Sequence, residues 1–345
     1  MLWIIKQKLN SFSLYQQCLE IIMKIFVSRN IPQAGIDLLK QHFEVDINLH
    51  NRVLTKKEIM HGIKGKDGLV CLLTDTIDRE VIEYEPNLKM IANYAVGYDN
   101  IDIQAATDNN IMVSNTPGVL TDATAEMAWA LLFSAARRIV EADSYTRAGK
   151  FQGWDPMLLH GVEISNQTLA VIGAGRIGAA VAEKSKGFNM NILYVDESVN
   201  TRLEKNFNAK KVDLNQALKS ADFISLHVPL NKKTYHLIGA KEFDLMKKTA
   251  VLINTSRGPV IDEKALIYAL KEKKIFAAGL DVYEHEPKIP DELKTLDNVI
   301  LQPHSASATT AARTKMASIA AQNMIAGLQG QLPPNCINKE VFRGF

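Results

Sequence analysis

Thr168-Leu-Ala-Val-Ile-Gly-Ala-Gly-Arg-Ile-Gly178 runs from a short apolar stretch into a Gly173-x-Gly175-x-x-Gly178 turn, and residues that can continue as a helix follow. Each glycine has a physical task. Gly173 permits a tight turn out of a strand. Gly175 has no Cβ, so a pyrophosphate can approach the backbone. Gly178 lets the helix pack closely on the sheet. Phosphates then sit at a helix N-terminus, where free N–H groups and the helix dipole favour negative charge. Glycine turns are common, so context decides. Asn191-Ile-Leu-Tyr-Val195 reads as the next strand and ends at Asp196, where an acid is expected to bond a ribose 2′-hydroxyl. Strand, turn, helix, strand and acid together read as a dinucleotide-binding unit.

The chain has 345 residues, which suits two domains. Hydrophobic residues at 47% and charged residues at 23% are ordinary for a soluble globular protein. A net charge of +2 gives no argument for nucleic-acid or membrane partners. Cys18, Cys71 and Cys336 are widely spaced and form no C-x-x-C, so neither a disulfide framework nor a metal site is suggested. A reducing cytoplasm is the simplest setting. The opening Met1-Leu-Trp-Ile-Ile-Lys is cut short by Lys6 and Lys8, and matches neither a membrane span nor a signal peptide. We expect the folded domain to start at Met23, with residues 1–22 as an extension or the product of an upstream start.

From Met23, runs at Lys24–Ser28, Phe43–Asn48, Gly68–Leu73, Lys89–Tyr94 and Ile111–Ser114 read as strands. Helix-like segments lie between them at 32–41, 55–62, 78–84 and 103–109, with Asp78 as a candidate cap. Such alternation implies βαβ units and a parallel sheet. This first series carries no phosphate-binding glycine motif. A single long helix is expected from Asp122 to about Gly149, capped by Thr121 or Asp122. The second series then adds strands at Phe223–His227, Ala250–Asn254, Phe276–Asp281 and Val299–Leu301, with a helix from Asp262. A last helix, near 309–329, is expected to return to the first sheet. The fold class is therefore α/β, with two Rossmann-like or flavodoxin-like domains on parallel sheets. The substrate domain is discontinuous (23–121 and 307–345) and the dinucleotide domain is 122–306.

Three loops carry candidate chemistry. Thr255-Ser256-Arg257-Gly258 follows one strand, and the planar fork of Arg257 suits a carboxylate bidentately. Glu286 lies in the loop after Asp281, and His304 follows Pro303 past the last strand. Singly, these read as a surface Arg, a solvated acid and a structural His. Together they fall beyond strands of the same dinucleotide domain. A His beside a Glu is held in one orientation with its cation favoured. It can give a proton to a carbonyl oxygen as hydride reaches the carbon. The combination reads as a nicotinamide-dependent 2-oxo-acid reductase.

The motifs Gly173–Gly178, Asn254-Thr-Ser-Arg-Gly258, Leu280-Asp-Val-Tyr-Glu-His-Glu-Pro287 and Pro303-His-Ser-Ala306 resemble the D-isomer-specific 2-hydroxyacid dehydrogenase family. The stretches Ala92–Asp102 and Ser114–Glu126 are similar to its glyoxylate/hydroxypyruvate reductases. The resemblance implies His304 as proton donor, Glu286 as its partner and Arg257 as substrate anchor. It assigns substrate binding to Arg257, His304 and the loop of Val96 and Gly97, whose backbone N–H groups meet the carboxylate. The cofactor contacts it implies begin with Thr121, then Gly173, Ala174, Gly175, Arg176, Ile177 and Gly178 at the turn, and Asp196 beyond it. His227, Val228 and Pro229 line the adenosine. Thr255, Ser256, Asp281, Ser305 and Ala306 complete the set, with Asp281 on the nicotinamide carboxamide. A homodimer is implied, in which Trp154 closes the partner's active site; the alternative for Trp154 is an ordinary buried aromatic. No metal, nucleic acid or membrane enters the reading.

In Asp196-Glu197-Ser198 a carboxylate stands where NADP's extra phosphate would lie, so NADH is expected over NADPH. Nearby Arg202 keeps NADPH as an alternative. Other readings stay open: a D-3-phosphoglycerate or D-lactate-type dehydrogenase, and, from another class, a non-catalytic NAD-sensing corepressor-like protein. A formate dehydrogenase ranks below these, because Gln is expected there in place of Glu286.

Overall fold

Apolar strands alternating with capped helices build two separate sheets in the computed structural model, which describes residues 22–342. The expected extension, 1–22, falls outside the described residues except for exposed Ile22. The chain divides into two units, Leu120–Ala312 and the remainder on either side of it. These boundaries differ by a few residues from 121/122 and 306/307.

The smaller unit contains β1 (Lys24–Val27), α1 (Gln33–Lys40), β2 (Glu44–Ile47), α2 (Lys56–Ile63), β3 (Gly68–Leu72), α3 (Arg79–Tyr84), β4 (Met90–Tyr94), α4 (Ile103–Asp108) and β5 (Met112–Ser114). All its strands pair in parallel, in the flavodoxin-like order β2-β1-β3-β4-β5. β4 is buried along its whole length, as an inner parallel strand covered on both faces must be. The helices start where short polar side chains take the first free N–H groups. Thr55 and Glu58 form a reciprocal capping box, and Asp78 and Asp102 accept from Val81 and Ala105. Each such cap contributes about 1 kcal/mol.

The larger unit contains α5 (Thr121–Ala136), α6 (Ile139–Arg147), β6 (Thr168–Ile172), α7 (Arg176–Lys184), β7 (Asn191–Val195), α8 (Thr201–Phe207), β8 (Lys210–Lys211), α9 (Leu214–Ser220) and β9 (Phe223–Leu226). It continues through α10 (Ala240–Leu245), β10 (Val251–Asn254), α11 (Glu263–Lys271), β11 (Ala277–Leu280), α12 (Asp291–Lys294) and β12 (Val299–Leu301). The sheet order is β12-β11-β10-β9-β6-β7-β8, again all parallel. From β6 the chain grows outward through β7 and β8, then returns to place β9 on the other side. The β6/β9 junction is thus a topological switch point, where open α/β sheets bind ligands beyond the strands' carboxyl ends.

Two expectations need correction. The long helix from Asp122 is two helices, α5 and α6, separated at Arg138, which is left-handed with φ 53°. The Ala136 carbonyl accepts from Val162 N–H at 2.9 Å instead of continuing the helix ladder. Gly161 permits this approach, since a Cβ there would lie 2.2 Å from the same oxygen. Neither Thr121 nor Asp122 caps α5; the cap position is Leu120, without a side-chain bond, and Asp122 pairs with Lys184.

The last helix, α13 (Thr310–Leu328), contains the second boundary between the units. Its buried Met316, Ala317, Ala320, Ala321 and Met324 belong to the smaller unit. Fully buried Asn323 donates to the Asn115 carbonyl at 3.0 Å, and Gly35 leaves room for Ala317. The smaller unit is therefore discontinuous in sequence.

Candidate functional site

The glycine turn leaves β6 and enters α7. Gly173 has φ +93°, a region open to glycine, and a Cβ there would meet the His227 backbone at 2.7 Å. At Gly178 a Cβ would lie 2.0 Å from the Gly173 carbonyl oxygen, so helix and turn touch directly. At Gly175 it would meet no protein atom within 4 Å. Packing inside the chain therefore demands glycine at two of the three positions and leaves the third open beside the backbone. Gly175 is also the N-cap of α7 and offers no side chain to Arg176, Ile177 and the other N-terminal N–H groups of the helix. This open, uncapped helix start fits a pyrophosphate.

Asp196 follows β7 and turns back to the loop. Its two oxygens accept from Ala174 N–H at 2.8 Å and Ser198 N–H at 3.0 Å. Asn200 holds the Ala174 carbonyl at 2.9 Å. Across the switch point, the His227 imidazole meets the Ser225 hydroxyl at 2.8 Å, and burial pushes its pKa down to about 3. It is a neutral wall residue, with Val228 against Gly173 and Pro229 exposed beyond. Arg202 is paired with Glu183, and Glu197 with Lys233. Thr121 opens α5 and is half-buried.

The neighbouring strands β10, β11 and β12 deliver the other candidates at the same carboxyl edge. After β10, buried Asn254 takes Ser256 N–H and Oγ on its carbonyl and donates to the Arg257 carbonyl. Arg257 Nη1 donates to the Ser256 carbonyl at 2.8 Å. Gly258 is compulsory, because a Cβ would lie 1.9 Å from the Tyr283 backbone. Thr255 Oγ1 is buried with no hydrogen-bond partner among the described residues, an orphan polar atom in a loop expected to meet the cofactor.

After β11, Asp281 is fully buried and grips the next loop. Its oxygens accept from Ser305 N–H at 2.7 Å and Ala306 N–H at 2.8 Å. Burial outweighs these bonds and the His304 charge, and pushes the carboxyl above its usual range. His304 therefore sits in a clamped loop, with φ 54°, an uncommon conformation for a side-chain-bearing residue. Its Nδ1 lies 2.8 Å from Glu286 Oε2, and Glu286 Oε1 accepts from Tyr283 N–H at 3.0 Å. Burial is the largest influence on Glu286 and opposes its charge. The His304 bond and charge, Tyr283 N–H and Arg257 outweigh it, holding the carboxyl below the usual carboxylate range. An oriented imidazole with one nitrogen on a carboxylate has its other nitrogen available for proton transfer.

A second pair, missed in the sequence, joins His236 Nε2 to Glu284 Oε1 at 2.9 Å. Glu284 Oε2 also accepts Glu263 N–H at the start of α11, which marks this pair as a structural brace. Tyr283 and Asn254 were also missed; a polar Asn ending an otherwise apolar strand is the signal that could have found the latter. Trp154 is 85% exposed, which removes the reading of an ordinary buried aromatic. Cys71 and Cys336 are buried free thiols. Among the described residues no helix is long and apolar enough to cross a membrane, and no cluster of three or more His, Cys, Asp or Glu could hold a metal ion.

The smaller unit has its own candidate, the Val96–Gly97 loop after β4. Both residues are half-buried, and neither N–H has a partner among the described residues.

Comparison with known proteins agrees with this architecture. Residues 129–306 match the family described as D-isomer specific 2-hydroxyacid dehydrogenase, NAD binding domain. A glyoxylate reductase of Korarchaeum cryptofilum is 50% identical over 322 residues, covering 93% of this chain and 97% of the relative. The TT0316 protein from Thermus thermophilus superposes with a TM-score of 0.85 at 39% identity, over 91% of this chain and all of that one. An NADPH-dependent glyoxylate/hydroxypyruvate reductase from Sinorhizobium meliloti, solved with NADP and malonate, gives a TM-score of 0.84 at 28% identity, over 94% and 99% of the two chains. With the glycine turn and the sheet order already in place, these matches mean that the chain belongs to the D-isomer-specific 2-hydroxyacid dehydrogenases, a family of NAD(P)-dependent oxidoreductases.

Proposed function

We propose that the protein reduces a small 2-oxo acid, glyoxylate or hydroxypyruvate, to the D-2-hydroxy acid, with NADH as the preferred reductant. The observation that carries the reading is the 2.8 Å bond from His304 to Glu286 on a loop clamped by Asp281, beside Arg257 in the dinucleotide-binding unit. Bound NADH supplies the hydride. His304 gives its proton to the carbonyl oxygen and takes one back in the reverse direction. Glu286 keeps the imidazole oriented. Arg257 holds the substrate carboxylate bidentately and polarises the carbonyl. The backbone of Val96 and Gly97 in the smaller unit is read as a set of N–H donors to a substrate carboxylate.

Asp196 supports NADH, because a carboxylate at the end of β7 bonds a ribose diol and repels a 2′-phosphate. The commitment of Arg202 to Glu183 points the same way. A homodimer belongs to the same reading. Ile139, Val140, Phe151, Trp154 and Met157 are exposed apolar side chains within one short segment, which suits burial against a second copy. Light scattering behind a sizing column reads the dimer directly. Steady-state oxidation of NADH and of NADPH, with glyoxylate, hydroxypyruvate, pyruvate and phosphohydroxypyruvate in turn, tests the activity. Turnover confined to phosphohydroxypyruvate, or a higher kcat/KM with NADPH, would reject the specific assignment. Binding of NADH without turnover of any of them would favour the non-catalytic sensor.

A further inference from the structure

We propose that Asn93 and Asn115 are positioning residues which, with the Thr116 backbone, turn three consecutive peptide groups so that Val96, Gly97 and Tyr98 present their N–H groups to the substrate carboxylate. The inference rests on the reading that this loop binds that carboxylate, and adds to it the residues that create the site and a third donor.

Three successive carbonyls of the loop are held inside the smaller unit. Ala95 O accepts from Thr116 N–H at 2.8 Å, Val96 O from Asn115 Nδ2 at 2.7 Å, and Gly97 O from Asn93 Nδ2 at 2.9 Å. In a trans peptide the C=O and the following N–H point in opposite directions. Holding those carbonyls therefore directs the N–H groups of Val96, Gly97 and Tyr98 away from the atoms that hold them. None of the three has a hydrogen-bond partner among the described residues. Three adjacent backbone N–H groups directed this way can donate together to an anion.

The two amides are themselves fixed. Asn93 is fully buried in β4, and its Nδ2 also reaches Asn100 Oδ1 at 3.2 Å. Asn100 in turn donates to the carbonyls of Leu72 and Asp75, at 3.1 and 3.0 Å. The Asn115 backbone is anchored to α13 through Asn323 and to Asn335. An amide is needed because a carbonyl must be met by a donor, and a neutral one adds no charge beside the anion. A carboxylate of the same shape would put an acceptor, in place of the amide donor, against the Gly97 oxygen.

The experiment uses the full-length chain, with Asn93→Asp and Asn115→Ala. Glyoxylate kinetics are measured at saturating NADH, and oxalate is titrated calorimetrically into the NADH-saturated protein. The proposal expects glyoxylate KM and oxalate Kd to rise together by about 10–100-fold, the range of one charge-assisted hydrogen bond. The loss falls on these constants rather than on kcat, and NADH affinity and the pH limbs of kcat stay in place. Should Asn93→Asp fail to fold, Asn115→Ala alone decides. Unchanged oxalate affinity in a folded variant overturns the proposal, as does a loss that strikes kcat, NADH affinity and thermal stability alike. Wild-type protein that binds oxalate but reduces no 2-oxo acid would sink the proposed activity while leaving the donor loop testable.

Discussion

Replacing Glu286 with Gln removes the charge beside His304 and keeps the shape. Gln can still accept from Nδ1, so the 2.8 Å contact survives as a neutral hydrogen bond. Charge-assisted bonds contribute about 1.5–3 kcal/mol and neutral ones about 0.5–1.5 kcal/mol. The variant therefore loses about 1–1.5 kcal/mol of the interaction that holds the imidazole in place, which corresponds to a fall of about 5–10-fold in kcat. Both side chains are less than a third exposed, at 23% and 29%, so screening does not erase the effect. The assay is kcat of NADH-dependent glyoxylate reduction at saturating cofactor, with NADH affinity measured alongside. The expected result is the lower kcat with NADH affinity retained. An unchanged kcat, or a loss that falls on NADH affinity instead, would refute the pairing as the support of the proton donor.

Gly178→Ala places a Cβ 2.0 Å from the Gly173 oxygen in the glycine turn and 2.9 Å from Val171 Cγ1 in β6. Overpacking of this kind costs about 1–3 kcal/mol, so a lower melting temperature and a raised NADH KM are expected together; an unchanged NADH KM would contradict the reading of the turn. Asp196→Ser removes the carboxylate proposed to repel a 2′-phosphate, and the ratio of kcat/KM for NADPH over NADH should rise by about tenfold or more; a constant ratio would locate cofactor choice elsewhere. The folded state holds the Glu286 carboxyl below its ordinary range. Its stabilising contribution is therefore complete above the unfolded pKa and disappears as pH falls through the folded one. Acid melting curves should be steeper in wild type than in Glu286→Gln across that window.

Most of the sheet framework was legible because parallel inner strands are short, apolar and bounded by polar caps. Met90–Tyr94 and Val251–Asn254 lie within one residue of their expected limits. The break between α5 and α6 was not legible. Ala136 ends its helix because Gly161 and Val162, far along the chain, dock on its carbonyl. β8 escaped notice because two lysines at a sheet edge carry no apolar pattern. In the site, residue types and loop positions could be read for Arg257, Glu286 and His304. The supports could not, since the Asp281 clamp on Ser305 and Ala306 and the amides behind Val96–Gly97 depend on which backbone atoms meet. Such contacts leave no periodic trace in a sequence.

The central claim is that His304 moves the proton that accompanies hydride transfer. It is tested most directly by the kcat of NADH-dependent glyoxylate reduction in wild type and His304→Gln, with NADH affinity measured alongside. The account predicts a fall of about 10²–10⁴ in kcat with NADH affinity retained. A variant that keeps near-wild-type kcat would contradict it.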